Sequence, residues 1–437
     1  SWPWWARTAD NEGNVGAFSS LALDSDANSH ITYYDWDLGD LKYAVRHGPG
    51  WSLSWIDTTG DVGATSSLAL DRDGLPHVCY ADDTLGDLKY ARNTGETWIY
   101  ETVDGIDNVG SYNSLALDRY DTPHIAYSDA TNSALKYAVK GEGFWGITTV
   151  TAPGQVIQDC SIAVGANGHA RISYYNSPEM DLEFAWWDGA AWMTMDVDTE
   201  GDVGEYSSLA LDAAGEPHIA YYALAITGLK YARWNGVSWD LEVVETGEGT
   251  VGPYCSLALD EAGTPHITYY DVTGGALKHA VKMGGAWRIA VIDEFGDTGK
   301  YTSVALDAQG NPHVSYYQAD GGALRYASVA VQLGDPGPGS VWPVGASRLV
   351  TWDGLGVVDL WLSVDGGVDY ELLERSLTGG EYRLRVPHTP TRFARLKLER
   401  RTEANTQRST VYPRSVAASA GLFSIETAVE LLQFTAT

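Results

Sequence analysis

Hydrophobic and polar positions alternate along most of the chain in short runs that return at a fixed interval. SLALD is an alternating, apolar run, PHIxYYD is rich in Ile, Val and Tyr, and LKYA forms a third run. A fourth run begins at a tryptophan, as in WSLSWID or WIYETVD, and Gly, Pro, Asp and Asn separate the runs. No segment has a convincing helical period. The pattern therefore predicts an all-β chain of short strands.

The runs return every 47 residues, with a single interval of 48. The interval is marked by equivalent serines at Ser20, Ser67, Ser114, Ser161, Ser208, Ser256 and Ser303. Seven copies of a four-strand unit are typical of propeller blades rather than of a helical solenoid. We therefore predict a seven-bladed β-propeller over residues 1–332, with one blade beginning near each serine.

The two ends of the repeat region predict a closed ring. The seventh copy reaches LRYASVAVQ without its tryptophan-led strand, and the N-terminal WPWWARTADNEGNVG aligns with WSLSWIDTTGDVG. Residues 2–9 are therefore expected to supply the outer strand of the last blade. Such closure hides sheet edges that would otherwise invite aggregation.

After LGDPGPGS, a linker of Gly and Pro over residues 333–340, the interval disappears. Runs such as RLVTW, VVDLWLSVD and EYRLRV predict an immunoglobulin-like β-sandwich over residues 341–425. The strand-like tail 426–437 contains VELLQFTAT. Three interpretations of this tail stay open: a docked tail, a strand donated to another chain, or the start of a further domain.

Composition narrows the range of functions. The formal net charge of −30 argues against nucleic acid and disfavours anionic membranes. No apolar run approaches the length of a transmembrane helix. The 17 Trp and 26 Tyr against 7 Phe suit carbohydrate or protein surfaces. Cys79, Cys160 and Cys255 are expected to be small buried groups without a disulfide framework. The start at Ser1 without Met favours a secreted protein whose signal peptide has been removed.

The SLALDxxGxPHIxYYD…LKYA repeats resemble those of secreted bacterial seven-bladed propellers, loosely related to the sialidase-type superfamily. The sialidase Asp box, Ser-x-Asp-x-Gly-x-x-Trp, is absent, which argues against glycosidase activity. The part with WPVGASRLVTW and LSVDGG is similar to immunoglobulin-like modules found behind such propellers, and VELLQFTAT is similar to the opening strand of a fibronectin-III-like domain. The resemblance implies a larger extracellular architecture and fixes no substrate.

Four copies carry Asp-x-x-Gly-x-Pro-His before the second strand, the first and third copies keep its Asp and His, and most copies have a lysine in the third strand. The aspartate can accept backbone N–H bonds across the turn, and proline stiffens the entry to the strand. The first three copies supply Asp24, His30, Lys42, Asp71, His77, Lys89, Asp118, His124 and Lys136. Because six blades each offer one such histidine at a similar radius, the histidines are too far apart to share a zinc ion, whose ligands lie within about 2.0–2.3 Å. We therefore predict a structural role for these residues.

Acidic residues concentrate in loops that share one face of a propeller, namely the loops that join blades and those between second and third strands. The blade-joining loops supply six calcium candidates: Asp57, Asp61, Asp198, Asp202, Asp293 and Asp297. Calcium relieves a negative face, because it prefers the oxygen ligands that carboxylates and carbonyls provide. The spacing is not that of an EF-hand, and Asp, Gly and Asn are ordinary turn residues. Bound calcium and solvated turns both stay open.

The fourth copy departs most from the pattern. Gly165 replaces Asp, Arg171 replaces His and Glu183 replaces Lys, so the sum of charges is unchanged. We predict an ion pair between Arg171 and Glu183, since arginine suits a planar carboxylate. The preceding loop, TAPGQVI, has no acid, and Trp186 and Trp187 follow. Arg171, Glu183, Trp186 and Trp187 are therefore ligand-binding candidates for an anionic sugar or a partner protein; the alternative is repeat drift with a compensating pair.

No HExxH, GxSxG or P-loop motif occurs, and no carboxylate pair is distinctive, so no catalytic residue is assigned. The leading hypothesis is a non-catalytic binding or scaffold protein, secreted or at the cell surface, that binds a glycan or a protein with avidity from repeated blades. One alternative is a polysaccharide-active enzyme, a lyase or glycosidase. The other is a subunit of an extracellular homopolymer that self-assembles through its C-terminal strand.

Overall fold

The computed structural model describes residues 4–47, 50–247, 249–308, 310–329, 332–335, 341–353, 358–364, 369, 371–377, 381–387, 391–400, 416–417 and 423–426. Almost all of the regular structure is β-strand. A short 3-10 helix covers Leu224–Ile226. Among the described residues there is no helix long and apolar enough to cross a membrane.

Seven four-stranded sheets follow the seven repeats. The first strand of the chain, β1, is Trp5–Asp10. Blades one and two contain β2 Val15–Leu23, β3 Ser29–Asp35, β4 Asp40–His47, β5 Gly50–Asp57, β6 Ser67–Leu70, β7 Pro76–Asp82, β8 Asp87–Asn93 and β9 Trp98–Asp104. Blades three and four contain β10 Val109–Leu117, β11 Pro123–Asp129, β12 Ala134–Lys140, β13 Trp145–Thr149, β14 Ile157–Val164, β15 Ala170–Asn176, β16 Asp181–Trp187 and β17 Trp192–Asp198. Blades five to seven contain β18 Val203–Leu211, β19 Pro217–Ala223, β20 Gly228–Trp234, β21 Trp239–Glu245, β22 Ser256–Leu259, β23 Pro265–Asp271, β24 Ala276–Met283, β25 Ala286–Asp293, β26 Thr298–Leu306, β27 Pro312–Gln318 and β28 Ala323–Ser328.

The predicted seven-bladed β-propeller is confirmed, and β1 closes it. The seventh sheet has the order β1-β28-β27-β26, so the N-terminal strand is its outer strand. Neighbouring blades are joined by hydrogen bonds of 3.0–3.1 Å from a first-strand N–H to the serine Oγ of the preceding blade. The last of these bonds runs from Leu21 to Ser303, so this serine belt is continuous around the ring. The serines that mark the repeat in the sequence therefore link neighbouring blades by hydrogen bonds, each contributing about 1 kcal/mol net.

The ring has two faces that the chain topology defines. On the mouth face the first strands begin and the second strands end, and on the basal face lie the turns between first and second strands. The two kinds of acidic loop meet on the mouth face, where Val62 N–H donates to the Gly39 carbonyl and Asp83 N–H donates to the Asp61 carbonyl. The mouth face therefore carries the acidic loops of both kinds.

Packing between blades buries the second strands along almost their whole length. All seven residues of β3 are buried, because both faces of this strand contact neighbouring blades. Leu324 of blade seven shares one apolar cluster with Val15 and Ile31 of blade one. Aromatic contacts extend each cluster outward, as where Trp98 meets Tyr43 edge-on with ring centroids 5.7 Å apart. The tryptophan that opens a fourth strand therefore packs on the third strand of the preceding blade.

The chain folds as two compact units: Ala6–Arg46 with Trp51–Ala327, and the described residues of Ser1–Trp5, His47–Gly50 and Ser328–Thr437. The second unit contains β29 Gln332–Asp335, β30 Val341–Pro343, β31 Ser347–Asp353, β32 Val358–Ser363, β33 Glu371–Leu377, β34 Glu381–Arg385, β35 Thr391–Arg400, β36 Val416–Ala417 and β37 Phe423–Glu426. One sheet has the order β29-β31-β34, and the other has the order β30-β37-β35-β32-β33, with β36 paired to β35. Their core consists of Trp342, Val350, Leu360, Leu362, Leu384, Val386, Ala394 and Leu396.

The predicted linker 333–340 is wrong in its first part, because residues 333–335 belong to β29 and pair with β31. A Gly- and Pro-rich composition does not prevent the backbone from forming sheet hydrogen bonds where a partner strand is present. The remaining linker residues, 336–340, lie outside the described residues, as does the tail from residue 427 onward. The immunoglobulin-like fold of residues 341–425 stays a prediction.

Candidate functional site

The repeated aspartate and histidine form a clamp at the basal face. Asp24 Oδ1 accepts two backbone N–H bonds of 2.8–2.9 Å and so holds the turn between β2 and β3. His30 Nε2 lies 3.5 Å from Asp24 Oδ2, while Nδ1 meets the hydroxyl of Tyr43. The same clamp is found at His77 with Asp71, His124 with Asp118, His218 with Asp212 and His313 with Asp307. Each of these histidines is held by protein groups within its own blade.

A second cluster, the carboxylate latch, joins the mouth end of a blade to the preceding blade. In blade one, Asp10 accepts hydrogen bonds of 2.7 Å from the hydroxyl of Tyr33 and from Lys42 Nζ, and Asp35 lies 3.8 Å from Lys42. The same latch places Lys89 between Asp57 and Asp82, and Lys136 between Asp104 and Asp129. Because a buried charge is costly alone, each lysine compensates the two carboxylates beside it.

Three of the six calcium candidates belong to latches. These are Asp57, Asp198 and Asp293, which accept hydrogen bonds from Tyr80, Tyr221 and Tyr316 and pair with Lys89, Lys230 and Arg325. The other three are Asp61, Asp202 and Asp297, which accept from the hydroxyls of Tyr34, Tyr175 and Tyr270. Burial alone would raise the pKa of Asp57, but its hydrogen bond from Tyr80 and the charge of Lys89 hold that pKa below the usual range. In the part of the chain that the structure describes, no three His, Cys, Asp or Glu side chains form a group suited to a metal ion. Calcium binding stays a prediction.

In blade four a carboxylate replaces the central lysine of the latch, and neutral side chains replace its two aspartates. Glu183 stands at the position of the lysine, and Asn176 and Thr151 stand at the positions of the two aspartates. The hydroxyl of Tyr174 donates to Glu183 Oε2 over 2.5 Å, and Asn176 Nδ2 donates to Oε1 over 2.6 Å. One carboxylate with neutral partners carries the same net charge as one lysine with two aspartates. The charge sum is therefore conserved within the latch, and not between Arg171 and Glu183.

The predicted ion pair between Arg171 and Glu183 is wrong. In the register of β15 and β16, Arg171 lies opposite Trp186, whereas Glu183 lies opposite Tyr174. Because Arg171 and Tyr174 are three residues apart on one strand, their side chains point to opposite faces and are separated by about 10 Å along it. Arg171 is at the basal end of the blade, and Glu183 belongs to the latch.

Of the four ligand-binding candidates, the structure brings together only Arg171 and Trp186 among the residues it describes. Trp187 points away from this pair and contacts Trp192, with ring centroids 5.9 Å apart. The acid-free loop TAPGQVI precedes β14 and so lies on the mouth face, at the other end of the blade from these tryptophans. The gap in the acidic face and the aromatic residues of blade four are therefore separate features.

The centre of the mouth face carries a ring of seven side chains, which we call the collar. It consists of Phe18, Thr65, Tyr112, Asp159, Tyr206, Tyr254 and Tyr301. Each lies two positions before a belt serine; in blade one this is a β-bulge, where β2 has one more residue than β3 between Ala17 and Ser20. All seven have a left-handed backbone with φ between 50° and 57°, which few non-glycine residues adopt. The repeated strain directs one side chain per blade into the central channel.

Four collar aromatics form a continuous arc. Ring centroids are 4.6 Å apart between Tyr206 and Tyr254, 4.6 Å between Tyr254 and Tyr301, and 4.3 Å between Tyr301 and Phe18. Collar and belt together line a central cavity of about 260 Å³. The collar side chains are only partly buried, so their ring faces and hydroxyl groups can be reached from this cavity.

Asp159 is the single carboxylate of the collar, and it belongs to blade four. Its Oδ2 accepts the backbone N–H of Tyr206 over 3.0 Å. Burial raises the pKa of Asp159 to about 6, against this hydrogen bond and with a further contribution from the charge of Glu205. Burial, followed by the charge of Asp202, also raises the pKa of Glu205. The collar thus combines tyrosine hydroxyls with a carboxyl group that exchanges its proton near pH 6.

The collar residues are absent from the candidates drawn from the sequence, although the repeat contains their signal. The residues two positions before the belt serines read Phe, Thr, Tyr, Asp, Tyr, Tyr and Tyr, so an acid replaces an aromatic residue in the fourth copy. The next column contains Cys160 and Cys255, and these two cysteines and Cys79 are buried and free of disulfides, as predicted. Blade four departs most from the repeat, and its most informative difference is Asp159, two positions before the belt serine.

No protein family and no curated protein matches the sequence. Among solved structures, a fungal alcohol oxidase in complex with copper matches with a TM-score of 0.51 at 10% identity, over 98% of this chain and 100% of that chain. YCF48 from Cyanidioschyzon merolae matches with a TM-score of 0.49 at 12% identity, over 74% of this chain and 98% of that one. An ulvan lyase from a new family of polysaccharide lyase matches with a TM-score of 0.45 at 13% identity, over 75% of this chain and 95% of that one. These likenesses concern the fold alone.

Proposed function

We propose that the protein is a non-catalytic glycan-binding protein and that the collar is its binding site. The observation that carries this proposal is the arc of Tyr206, Tyr254, Tyr301 and Phe18 at the mouth of the central cavity, with the carboxyl group of Asp159 beside its end. Aromatic faces contact the apolar C–H faces of sugars, and tyrosine hydroxyls and a carboxylate bond to sugar hydroxyls.

The backbone of the collar favours binding without rearrangement. Because all seven collar residues share one left-handed backbone conformation and the four aromatic side chains of the arc pack against one another, little conformational freedom is lost when a ligand is bound. Ligand pockets usually combine apolar walls with a few convergent polar groups, in volumes of about 300–1,000 Å³. The central cavity, at about 260 Å³, is slightly smaller than this range, so we propose the end of a glycan as its ligand.

The proposal is tested by screening the full chain on a glycan array and titrating the strongest ligand by calorimetry. Tyr254→Ala removes the centre of the arc and is expected to weaken binding at least tenfold, whereas Tyr254→Phe keeps the ring and is expected to lose less. Tyr120→Ala, in an exposed turn of blade three, is the control and should bind like the unmodified protein. An array without any ligand, or Tyr254→Ala binding at full strength, would refute the collar as a glycan site.

Asp159 favours a second candidate, a polysaccharide-active enzyme. A carboxyl group with a pKa of about 6 can donate a proton at neutral pH, as a general acid must. Glu205 is the acidic group whose charge contributes to the raised pKa of Asp159, and the two carboxyls would have to divide the acid and base roles. Release of reducing ends or of unsaturated products from acidic and neutral polysaccharides tests this candidate. Activity that Asp159→Asn abolishes would replace the binding proposal.

The location and assembly of the protein also belong to this proposal. We expect a secreted or cell-surface protein with an immunoglobulin-like C-terminal module, in which two sheets enclose a core around Trp342 and Leu360. Self-assembly through the tail 426–437 is the remaining alternative, and all of that tail beyond Glu426 lies outside the described residues. Comparing the mass of the full chain in solution with that of a chain ending at Glu426 distinguishes a polymer subunit from a monomeric binding protein.

A further inference from the structure

Blade four lacks the basal clamp and has a cation in its place. In blade one, the corresponding positions hold Asp24, His30 and Tyr43, whose side chains bind one another. In blade four, these positions hold Gly165, Arg171 and Phe184. The three substitutions together remove one carboxylate, add one permanent positive charge and delete the hydroxyl group that met the histidine.

The substitutions at 165 and 171 are coupled by space. A Cβ atom on residue 165 would lie 2.6 Å from Arg171 Nη1, so the guanidinium occupies the volume that an aspartate side chain takes in the other clamps. Arg171 Nη1 is buried without a hydrogen-bond partner, and no carboxylate of the described residues forms an ion pair with this side chain. An arginine stays charged at any physiological pH and has five N–H donors to satisfy. The guanidinium of Arg171 therefore has a donor that no described protein group satisfies.

Arg171 lies between two cavities at the basal edge of blades four and five. The larger, about 400 Å³, is bounded by the turns that contain Gly165 and Asp212. The smaller, about 250 Å³, is lined by Arg171, Phe184, Trp186, Met195, Glu216 and Trp234. The rings of Phe184 and Trp186 are stacked, with centroids 5.9 Å apart and planes at 21°. A cation, a stacked aromatic wall and one acceptor carboxylate therefore border the same space.

We propose that the smaller cavity, which we call the Arg171 pocket, binds the carboxylate of an acidic sugar, as found in uronic-acid-containing glycans. The fork of N–H groups on Arg171 matches a planar carboxylate, and charge-assisted bonds of this kind are among the strongest in proteins. The aromatic wall of Phe184 and Trp186 offers a face for the sugar ring, and Glu216 offers an acceptor for a sugar hydroxyl. This site is on the face opposite the collar and does not depend on the collar as a binding site.

The probes are trigalacturonate and the hyaluronan tetrasaccharide, each titrated by calorimetry against its carboxyl-methyl ester. At least one acid is expected to bind, and its neutral ester to bind at least tenfold more weakly, because the ester loses the charge that pairs with Arg171. Arg171→Gln is expected to weaken binding of the acid at least tenfold. Arg92→Gln, which removes an exposed arginine from strand β8 of blade two, is the control and should bind normally.

A second variant guards against misfolding. The triple substitution Gly165→Asp, Arg171→His and Phe184→Tyr restores the clamp found in blades one, two, three, five and seven, so it is expected to fold and to lose binding. Equal binding by ester and acid, unchanged binding by either variant, or no binding of either probe would overturn the proposal. Binding of an acidic peptide but of neither sugar would overturn the assignment to sugars. Unchanged binding in Tyr254→Ala separates this site from the collar.

Discussion

The raised pKa of Asp159 predicts a specific change of stability with pH. The folded protein holds this proton up to about pH 6, whereas an ordinary aspartate loses it near 3.8, so folding is favoured while the carboxyl group is protonated. That contribution is lost as the pH rises from about 4 through about 6. The difference of about 2 pKa units corresponds to about 3 kcal/mol, an upper value since the side chain borders an open channel.

Asp159→Asn mimics the protonated form at every pH and can still accept the N–H of Tyr206. We expect the variant and the unmodified protein to be similarly stable near pH 4, and the variant to be more stable by up to about 3 kcal/mol near pH 7.5. Urea denaturation followed by tryptophan fluorescence across this range measures the difference. Asp73→Asn, in the exposed turn of blade two, controls for the loss of one negative charge. A difference that does not grow between about pH 4 and pH 6.5 would show that the environment of Asp159 is misjudged.

Two further predictions concern the latches and the cysteines. Lys136→Met leaves the carboxylates of Asp104 and Asp129 buried without a cation, so it is expected to lower the free energy of unfolding by about 3–5 kcal/mol. Glu183→Gln, whose partners are neutral, is expected to lower it by about 1–3 kcal/mol. Urea denaturation measures both losses, and equal losses would contradict the different charges of the two latches. Burial raises the pKa of Cys79, Cys160 and Cys255, so their thiols should react slowly in the folded protein. A thiol-specific colorimetric reagent at about pH 8 is expected to modify none of them before unfolding and all three after unfolding in guanidinium chloride. Rapid labelling of the folded protein would contradict their burial.

Much of the propeller follows from the sequence because its signals are local and repeated. The interval between Ser20 and Ser67 returns through all seven copies, and four short strands per interval fit a blade and little else. The seventh copy has no tryptophan-led fourth strand after β28, and β1 precedes the first copy, so the sequence also predicts that β1 completes the seventh blade. Belt serines, turn aspartates and strand tyrosines repeat, so a pattern visible in one copy is confirmed by the others.

The partners of the charged residues depend on distances between blades, which the sequence does not specify. Lys42 pairs with Asp10, which lies 32 residues earlier and in another blade. The register of one hairpin decides that Arg171 faces Trp186 and that Glu183 faces Tyr174. A single-residue change of register reverses the face of every side chain, so net charge along the sequence does not reveal an ion pair.

The sequence by itself determined the number of blades, their strands, the closure of the ring and the blade that breaks the symmetry. Only the tertiary structure decided what that asymmetry consists of: a carboxyl group in the collar at Asp159, a latch whose central charge is the carboxylate of Glu183 with neutral partners, and an arginine, Arg171, that pairs with no carboxylate among the described residues. The physical reason is that identity and spacing are properties of the chain, whereas burial, pairing and pKa depend on which groups the closed ring brings within a few ångströms of one another.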